Sequence, residues 1–326
     1  MYKRQSLASK VPSTQFSHKD FLVGHFADCF FLNPTSPAEV ASIAHSLKNS
    51  KCEGVDGLSI SPIKETIDLL AAPLSHICNL SFERGVFPDK LKIAKILPVF
   101  KRDDPSLFSN YRPISILPCL SKVFEKLFYL RLSGFLPKFD ILNHHQYGFR
   151  PHHSTAMAIL ELVNNIYGGF ENNQYTVGVF TDLKKAFDTV NHEILLDKLN
   201  FYGIRGIPLT WLTSYLSHRQ QCVMVHDHTS SFNSVVCGAP QGSVLGPLLF
   251  LLYINDLFHV SNLLSIILFA DDTNIFLRHN DLATLATILN IERSLVSSWF
   301  NANKLTVHPA KSKFNIFHPR RKQISS

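Results

Sequence analysis

The sequence predicts an α+β fold in which an antiparallel sheet packs on helices, and three observations carry that prediction. Apolar runs of strand length at Ile93–Phe100, Val177–Phe180, Leu263–Phe269 and Thr273–Leu277 are interleaved with stretches of helical apolar spacing. Leu263–Phe269 and Thr273–Leu277 are separated only by Ala270-Asp271-Asp272, a connection short enough to demand an antiparallel hairpin. The chain of 326 residues is 45% hydrophobic and 17% charged, which suits a sizeable core and excludes disordered and fibrous classes.

The elements follow in order. Residues 1 to about 50 are weakly patterned, but Phe16, Phe21, Phe26, Phe30 and Phe31 need somewhere to pack, so one or two helices are expected there. Gly54-Val55-Asp56-Gly57 signals a turn, and Ile63, Ile67, Leu70, Leu74 and Ile77 give Ile63–Phe82 a helical stripe. Ile93–Phe100 is a strand, Lys101-Arg102-Asp103-Asp104-Pro105 its loop, and Tyr111–Leu117 the returning strand. Ser121–Leu132 and Ala156–Phe170 are helices, the second with Gly168-Gly169 expected to loosen its end. Val177–Phe180 is a strand ending at Asp182, and Phe187, Val190, Ile194, Leu195 and Leu199 mark one helix behind it. Gln221–Val225 and Ser234–Cys237 pair as a hairpin. Gly238–Ser243 is a Gly/Pro-rich loop before a buried helix, Val244–Leu257. After the acidic hairpin, Leu282, Leu285, Ile288, Leu289, Leu295 and Trp299 define a long amphipathic helix. Lys304–Val307 and Phe314–Phe317 close the chain as short strands.

Charge and cysteine content narrow the function classes. With 32 Lys and Arg against 25 Asp and Glu the net charge is +7, an excess that suits a polyanionic partner such as nucleic acid. The six cysteines form no C-x-x-C pair and, as reduced thiols, point to an intracellular chain. The adjacent pairs His144-His145 and His152-His153 do not have metal-ligand spacing, because neighbouring side chains point different ways. Leu248–Ile254 and Leu263–Ala270, the longest apolar runs, fall well short of the ~20 residues a membrane helix needs. Met1 is followed by Tyr2-Lys3-Arg4 without an apolar leader segment behind it.

Three acids stand out by position. Asp182 ends one apolar strand, and Asp271 and Asp272 occupy the tip of an apolar hairpin. Carboxylates in such surroundings are costly unless positive charge compensates them, and hard divalent cations do so through carboxylate oxygens. If the strands are neighbours, the three converge on one sheet edge, where two metals would serve an in-line phosphoryl transfer. Singly each has a plainer explanation: Asp-Asp is an ordinary turn, and Asp182 alone fits a helix N-cap.

The combination resembles a known family. Val179-Phe180-Thr181-Asp182-Leu183-Lys184-Lys185-Ala186-Phe187-Asp188 is similar to motif A of the reverse transcriptases of non-LTR (LINE-type) retrotransposons, the jockey-like group included. Ala239-Pro240-Gln241-Gly242-Ser243-Val244-Leu245-Gly246-Pro247-Leu248 resembles their motif B, Phe269-Ala270-Asp271-Asp272 motif C, and Ala310-Lys311-Ser312-Lys313 motif D. Asn110-Tyr111-Arg112-Pro113-Ile114-Ser115 and Gln146-Tyr147-Gly148-Phe149-Arg150 resemble two upstream blocks. Motif D departs from the family in having Ser312 where Thr is usual.

The resemblance implies a right-hand polymerase with fingers and palm, the thumb missing or truncated. Residues 1–77 would be a helical extension leading into the fingers, and 78–326 the reverse transcriptase domain. Asp182, Asp271 and Asp272 would be catalytic and metal-binding, holding two Mg2+ ions, with Mn2+ as a substitute, and Lys311 would be general acid for pyrophosphate. Lys101 and Arg112 would grip the triphosphate, Arg by bidentate contact. Phe187 would exclude a ribose 2′-hydroxyl, Gln241 and Gly242 would lie by the incoming nucleotide, and Arg150 would contact template or nucleotide. The implied partners are an RNA template, a DNA primer, dNTPs and the absent endonuclease and thumb regions of a longer polyprotein. The implied place of action is the nucleus. Group II intron-type and telomerase-type enzymes are the nearest competitors within the class. An inactive retrotransposon fragment that only binds nucleic acid is the competitor outside it, and low or no activity is expected of the isolated chain.

Overall fold

A computed structural model describes residues 11–225 and 228–322. The stretch Met1–Lys10, in which no leader is expected, lies outside these residues. In chain order the elements are α1 (Pro37–Ser46), α2 (Ile60–Glu65), α3 (Ile67–Arg84), β1 (Ile93–Phe100), β2 (Tyr111–Ile116), α4 (Cys119–Lys138) and α5 (Thr155–Glu171). Then come β3 (Tyr175–Thr181), α6 (Ala186–Thr189), α7 (His192–Phe201), α8 (Ile207–Leu216), β4 (Arg219–Val225), β5 (His228–Thr229) and β6 (Asn233–Val235). The last are α9 (Gly246–Ile254), β7 (Ser265–Phe269), β8 (Asp272–His279), α10 (Leu282–Ala302) and β9 (Lys313–Phe317). The chain divides into two compact units, each assembled from interleaved segments: 1–24, 142–194 and 250–326 in the first, and 25–141 and 195–249 in the second.

The first unit is built on a four-stranded sheet in the order β7-β8-β3-β9, antiparallel at every pairing. Its two faces sort by the strand period of two. Tyr175, Val177 and Leu277 pack with Leu285 and the apolar stripe of α10, joined by Ile316. Phe276 and Phe180 face the other way, onto Ala158, Leu162 and Ile166 of α5. Gly168 and Gly169 do not loosen that helix; both lie inside it, and a Cβ on Gly169 would stand 1.9 Å from Thr176 Oγ1 of β3. They are there so that the helix can lie close on the sheet.

The second unit carries a sheet in the order β2-β1-β4-β5, with β6 also on β4. β1 pairs antiparallel with β2 and parallel with β4. Its core is aromatic: Trp211 of α8 stacks on Phe128 of α4 at 4.5 Å between ring centroids, and Phe82, Phe87 and Tyr215 surround it. The buried indole N–H donates to Ser81 Oγ at 2.9 Å, which satisfies its one polar atom. Residues upstream belong to this core as well, since Val40, Ile43 and Ala44 of α1 are buried and Arg131 of α4 pairs with Glu39 at 2.9 Å.

Four predicted elements are corrected. The stripe Ile63–Phe82 is two helices, broken at Thr66, whose backbone leaves helical values. The helix behind Asp182 is likewise two, because Asn191 Oδ1 accepts from Ile194 N–H at 3.0 Å and starts a new one. The helix expected over Val244–Leu257 is α9 with a 3₁₀ turn, Asn255–His259, after it. Lys304–Val307 is not a strand; Val307 makes a single bridge to Leu183, and Lys184 N–H donates to Thr306 O at 2.8 Å. α8 has no counterpart among the predicted elements.

Candidate active site

Strand register brings the acids of the first unit together. β3 and β8 run antiparallel with Thr181 opposite Thr273, so Asp182, one step beyond, arrives at the same sheet end as Asp272. Phe269 pairs with Asp272 across β7 and β8, which leaves Ala270 and Asp271 as the turn. β9 sits on the far side of β3 with Lys313 opposite Phe180, so Lys311 falls beside Asp182. There its Nζ stands 2.7 Å from Asp182 Oδ2. His308 N–H donates to the Asp182 carbonyl at 2.7 Å and fixes the backbone at that point. Asp182 is not a helix N-cap, since α6 begins at Ala186 with Lys185 as its cap residue.

The electrostatics match this crowding. Partial desolvation, then the charges of Asp271 and Asp182, hold the Asp272 carboxyl above its usual range, while Lys311 pulls it down. Like charges gathered at one sheet end call for a cation. Among the described residues no three His, Cys, Asp or Glu side chains are already placed to hold a metal ion. As they stand, Lys311 supplies the countercharge for Asp182. The donor set, three carboxylates with one of them destabilised by the other two, fits a hard divalent cation by charge and by ligand type.

The first unit also holds Phe187, Arg150 and Gln146. Phe187 of α6 lies 4.6 Å from Phe250 and 5.9 Å from Phe149 between ring centroids. Arg150, expected at template or nucleotide, donates from Nη1 to Asn143 O at 2.5 Å and Gln146 O at 3.3 Å, so its guanidinium closes its own loop. A residue whose role was not foreseen is Gln146. Its buried amide reaches the Ala270 backbone on both sides, a contact between residues 124 apart that no local pattern announces.

The second unit carries the other candidates. Lys101 follows β1, and its N–H donates to Asn110 O at 2.9 Å, closing the β1–β2 loop. Arg112 is exposed on β2 opposite Val99. Neighbouring Arg102 faces Asp103 at 3.8 Å in an exposed pair that contributes little. Three residues beyond Arg112, Ser115 N–H donates to Gln241 O at 2.9 Å, which ties the Gln241-Gly242 loop to the strand bearing Arg112. Gly242 has φ +106°, and a Cβ there would stand 2.7 Å from Ser115 O, so only glycine fits.

Beneath that loop lies a second unforeseen residue, Glu125. Its carboxylate is buried and accepts from Val244 N–H at 2.7 Å, Leu245 N–H at 3.2 Å and Ser121 Oγ at 2.8 Å. Burial pushes its carboxyl up, against the pull of Arg219 and of these hydrogen bonds. Capping the backbone just after Gly242, it anchors the loop.

None of the six cysteines forms a disulfide, and no described helix is long and apolar enough to cross a membrane.

Three acids and a lysine thus stand at one end of the antiparallel sheet. Residues 99–323 match the family described as "Reverse transcriptase (RNA-dependent DNA polymerase)". A "Probable RNA-directed DNA polymerase from transposon BS" of Drosophila melanogaster is 31% identical over 296 residues, 86% of this chain and 32% of that protein. The "RNA-directed DNA polymerase from mobile element jockey" of the same species is 32% identical over 263 residues, 78% of this chain and 27% of its own length. A "Probable RNA-directed DNA polymerase from transposon X-element", also from that fly, is 32% identical over 69% of this chain and 25% of its own. The chain belongs to the reverse transcriptase family, among the non-LTR retrotransposon members, and spans about a third or less of the length of these relatives. Members of this family generally use divalent metal ions.

Proposed function

We infer that this chain is the polymerase core of a non-LTR retrotransposon reverse transcriptase, extending a DNA primer on an RNA template from dNTPs. The observation that carries the reading is the meeting of Asp182, Asp271 and Asp272 at one sheet end, with family membership across residues 99–323. Two Mg2+ ions held by these carboxylates would stabilise the attacking and leaving oxygens of an in-line displacement at the α-phosphate. Lys311 holds a proton beside Asp182 and gives it, in this reading, to the departing pyrophosphate. Lys101 and Arg112 bind the triphosphate, and the loop at Gln241-Gly242 lets backbone approach the incoming nucleotide. Phe187, braced by Phe149 and Phe250, presses against the sugar and selects deoxyribose. The nucleus is the expected place of action, since a chromosomal target supplies the primer.

The test is labelled dTTP incorporation on poly(rA)/oligo(dT) with Mg2+, beside a gel-shift measurement on the same duplex. Template-dependent extension supports the reading. Retention of the duplex with no incorporation, also after the chain is lengthened toward the size of its relatives, would favour a fragment that only binds nucleic acid.

A further inference from the structure

We propose that Gln146 is a positioning residue for the acidic hairpin, setting the backbone that presents Asp271 and Asp272. The inference rests on the polymerase reading and deepens it.

Ala270 immediately precedes the two acids and has φ +57°, a left-handed value that costs a residue with a Cβ free energy. Something must hold it there. Gln146 Oε1 accepts from Ala270 N–H at 3.0 Å, and Gln146 Nε2 donates to Ala270 O at 3.3 Å, so one side chain takes both backbone groups of that residue. The same Oε1 accepts from Gly148 N–H at 2.9 Å. Two N–H donors on one atom fix which end of the amide is oxygen.

The backbone around Gln146 reinforces the grip. Tyr147 N–H donates to Leu268 O at 2.8 Å and Leu268 N–H to His145 O at 2.9 Å, a parallel bridge on the strand that leads into the turn. Gly148 lies flat against the turn, since a Cβ on it would fall 2.1 Å from Ala270 N. Gln146 is 2% exposed and Ala270 6%, so neither can exchange these bonds for water. A buried polar group stripped of its partner costs stability, so the turn and the amide hold one another. The backbone torsion of Ala270 sets where Asp271 and Asp272 stand relative to Asp182. A change in it moves two of the three proposed ligands together.

The test compares the parent chain with Gln146→Met, Gly148→Ala, Asp271→Asn and Leu285→Ala. Methionine keeps the length of glutamine and loses all three hydrogen bonds, while alanine at 148 pushes the turn from its other side. Leu285→Ala loosens the core beneath the same sheet and controls for lost stability. Free Mn2+ is followed by EPR without nucleotide or nucleic acid, primer extension gives kcat and KM for dTTP, and thermal unfolding shows each variant folded at the assay temperature.

Gln146→Met and Gly148→Ala should each weaken Mn2+ binding by about 10–100-fold, as lost support of metal ligands does, and lower kcat with KM for dTTP unchanged. Leu285→Ala should lower Tm and leave Mn2+ binding as in the parent. Parent-like Mn2+ binding in a folded Gln146→Met, or an equal loss in Leu285→Ala, would overturn the proposal and leave the polymerase reading standing. A parent that binds Mn2+ no better than Asp271→Asn would overturn the reading, and the proposal with it.

Discussion

Asp272 is the residue at which structure and proposed chemistry can be separated by pH. Its carboxyl is held above the usual range by desolvation and by Asp271 and Asp182, so folding favours its neutral form relative to the unfolded chain. The folded protein therefore binds more protons than the unfolded chain between the ordinary and the raised value, and stability falls as pH rises through that window. Without divalent cation, Asp272→Asn should raise Tm at pH 7–8, and the gain should vanish as pH drops through the carboxylate range. Thermal unfolding against pH checks this; a variant less stable than the parent at neutral pH would mean that the charges are already compensated. The positions of Asp182, Asp271 and Asp272 were legible in the sequence, because each is a polar residue at the end of an apolar run. Gln146 and Glu125 were not, since a buried amide or carboxylate reads like any surface Gln or Glu until its partners, 124 and 119 residues away, are known.

At the scale of elements, the hairpins and most strands follow from apolar runs and short connections, and the sheet register then does what local pattern cannot. The pairing Thr181 to Thr273 and Phe180 to Lys313 gathers Asp182, Asp272 and Lys311 from three separate segments. Misread elements share a cause. Helical spacing continues across Thr66 and Val190, where capping and turn geometry break the helix, and α8 begins at Ile207-Pro208, where proline suggests a stop but suits a first turn. Glycine in a helix likewise has a meaning only contacts supply. Gly134 of α4 has nothing within 4 Å of its missing Cβ, whereas that of Gly169 would strike Thr176. Gly134→Ala should therefore stabilise by about 0.5–1 kcal/mol through helix propensity, and Gly169→Ala should destabilise by about 1–3 kcal/mol through overpacking. Urea unfolding measures both, and a stabilising Gly169→Ala would show that α5 does not lie as close to β3 as described.

At the scale of the whole molecule, the chain builds each unit from segments far apart in sequence, a division that composition and periodicity do not reveal. Residues upstream of the family match at 99–323 take part in it. Val40, Ile43, Ala44, Ile60, Ile63, Ile67 and Leu74 are all buried in the second unit with the segments 78–141 and 195–249. Deleting residues 1–77 should therefore abolish cooperative thermal unfolding and leave a chain without a sharp near-UV circular dichroism signal. A deletion variant that melts as sharply as the parent would make that segment an appendage.

The central claim is that the three carboxylates at the end of the first unit's sheet carry out nucleotidyl transfer. Primer extension on poly(rA)/oligo(dT) with Mg2+ and dTTP, run side by side on the parent chain and Asp271→Asn, tests it most directly. The account predicts extension by the parent, at the low level expected of the isolated chain, and a further loss of at least about 100-fold in the variant, as removal of a charge-stabilising group from a transferring phosphoryl entails. Equal extension by the two proteins would contradict it.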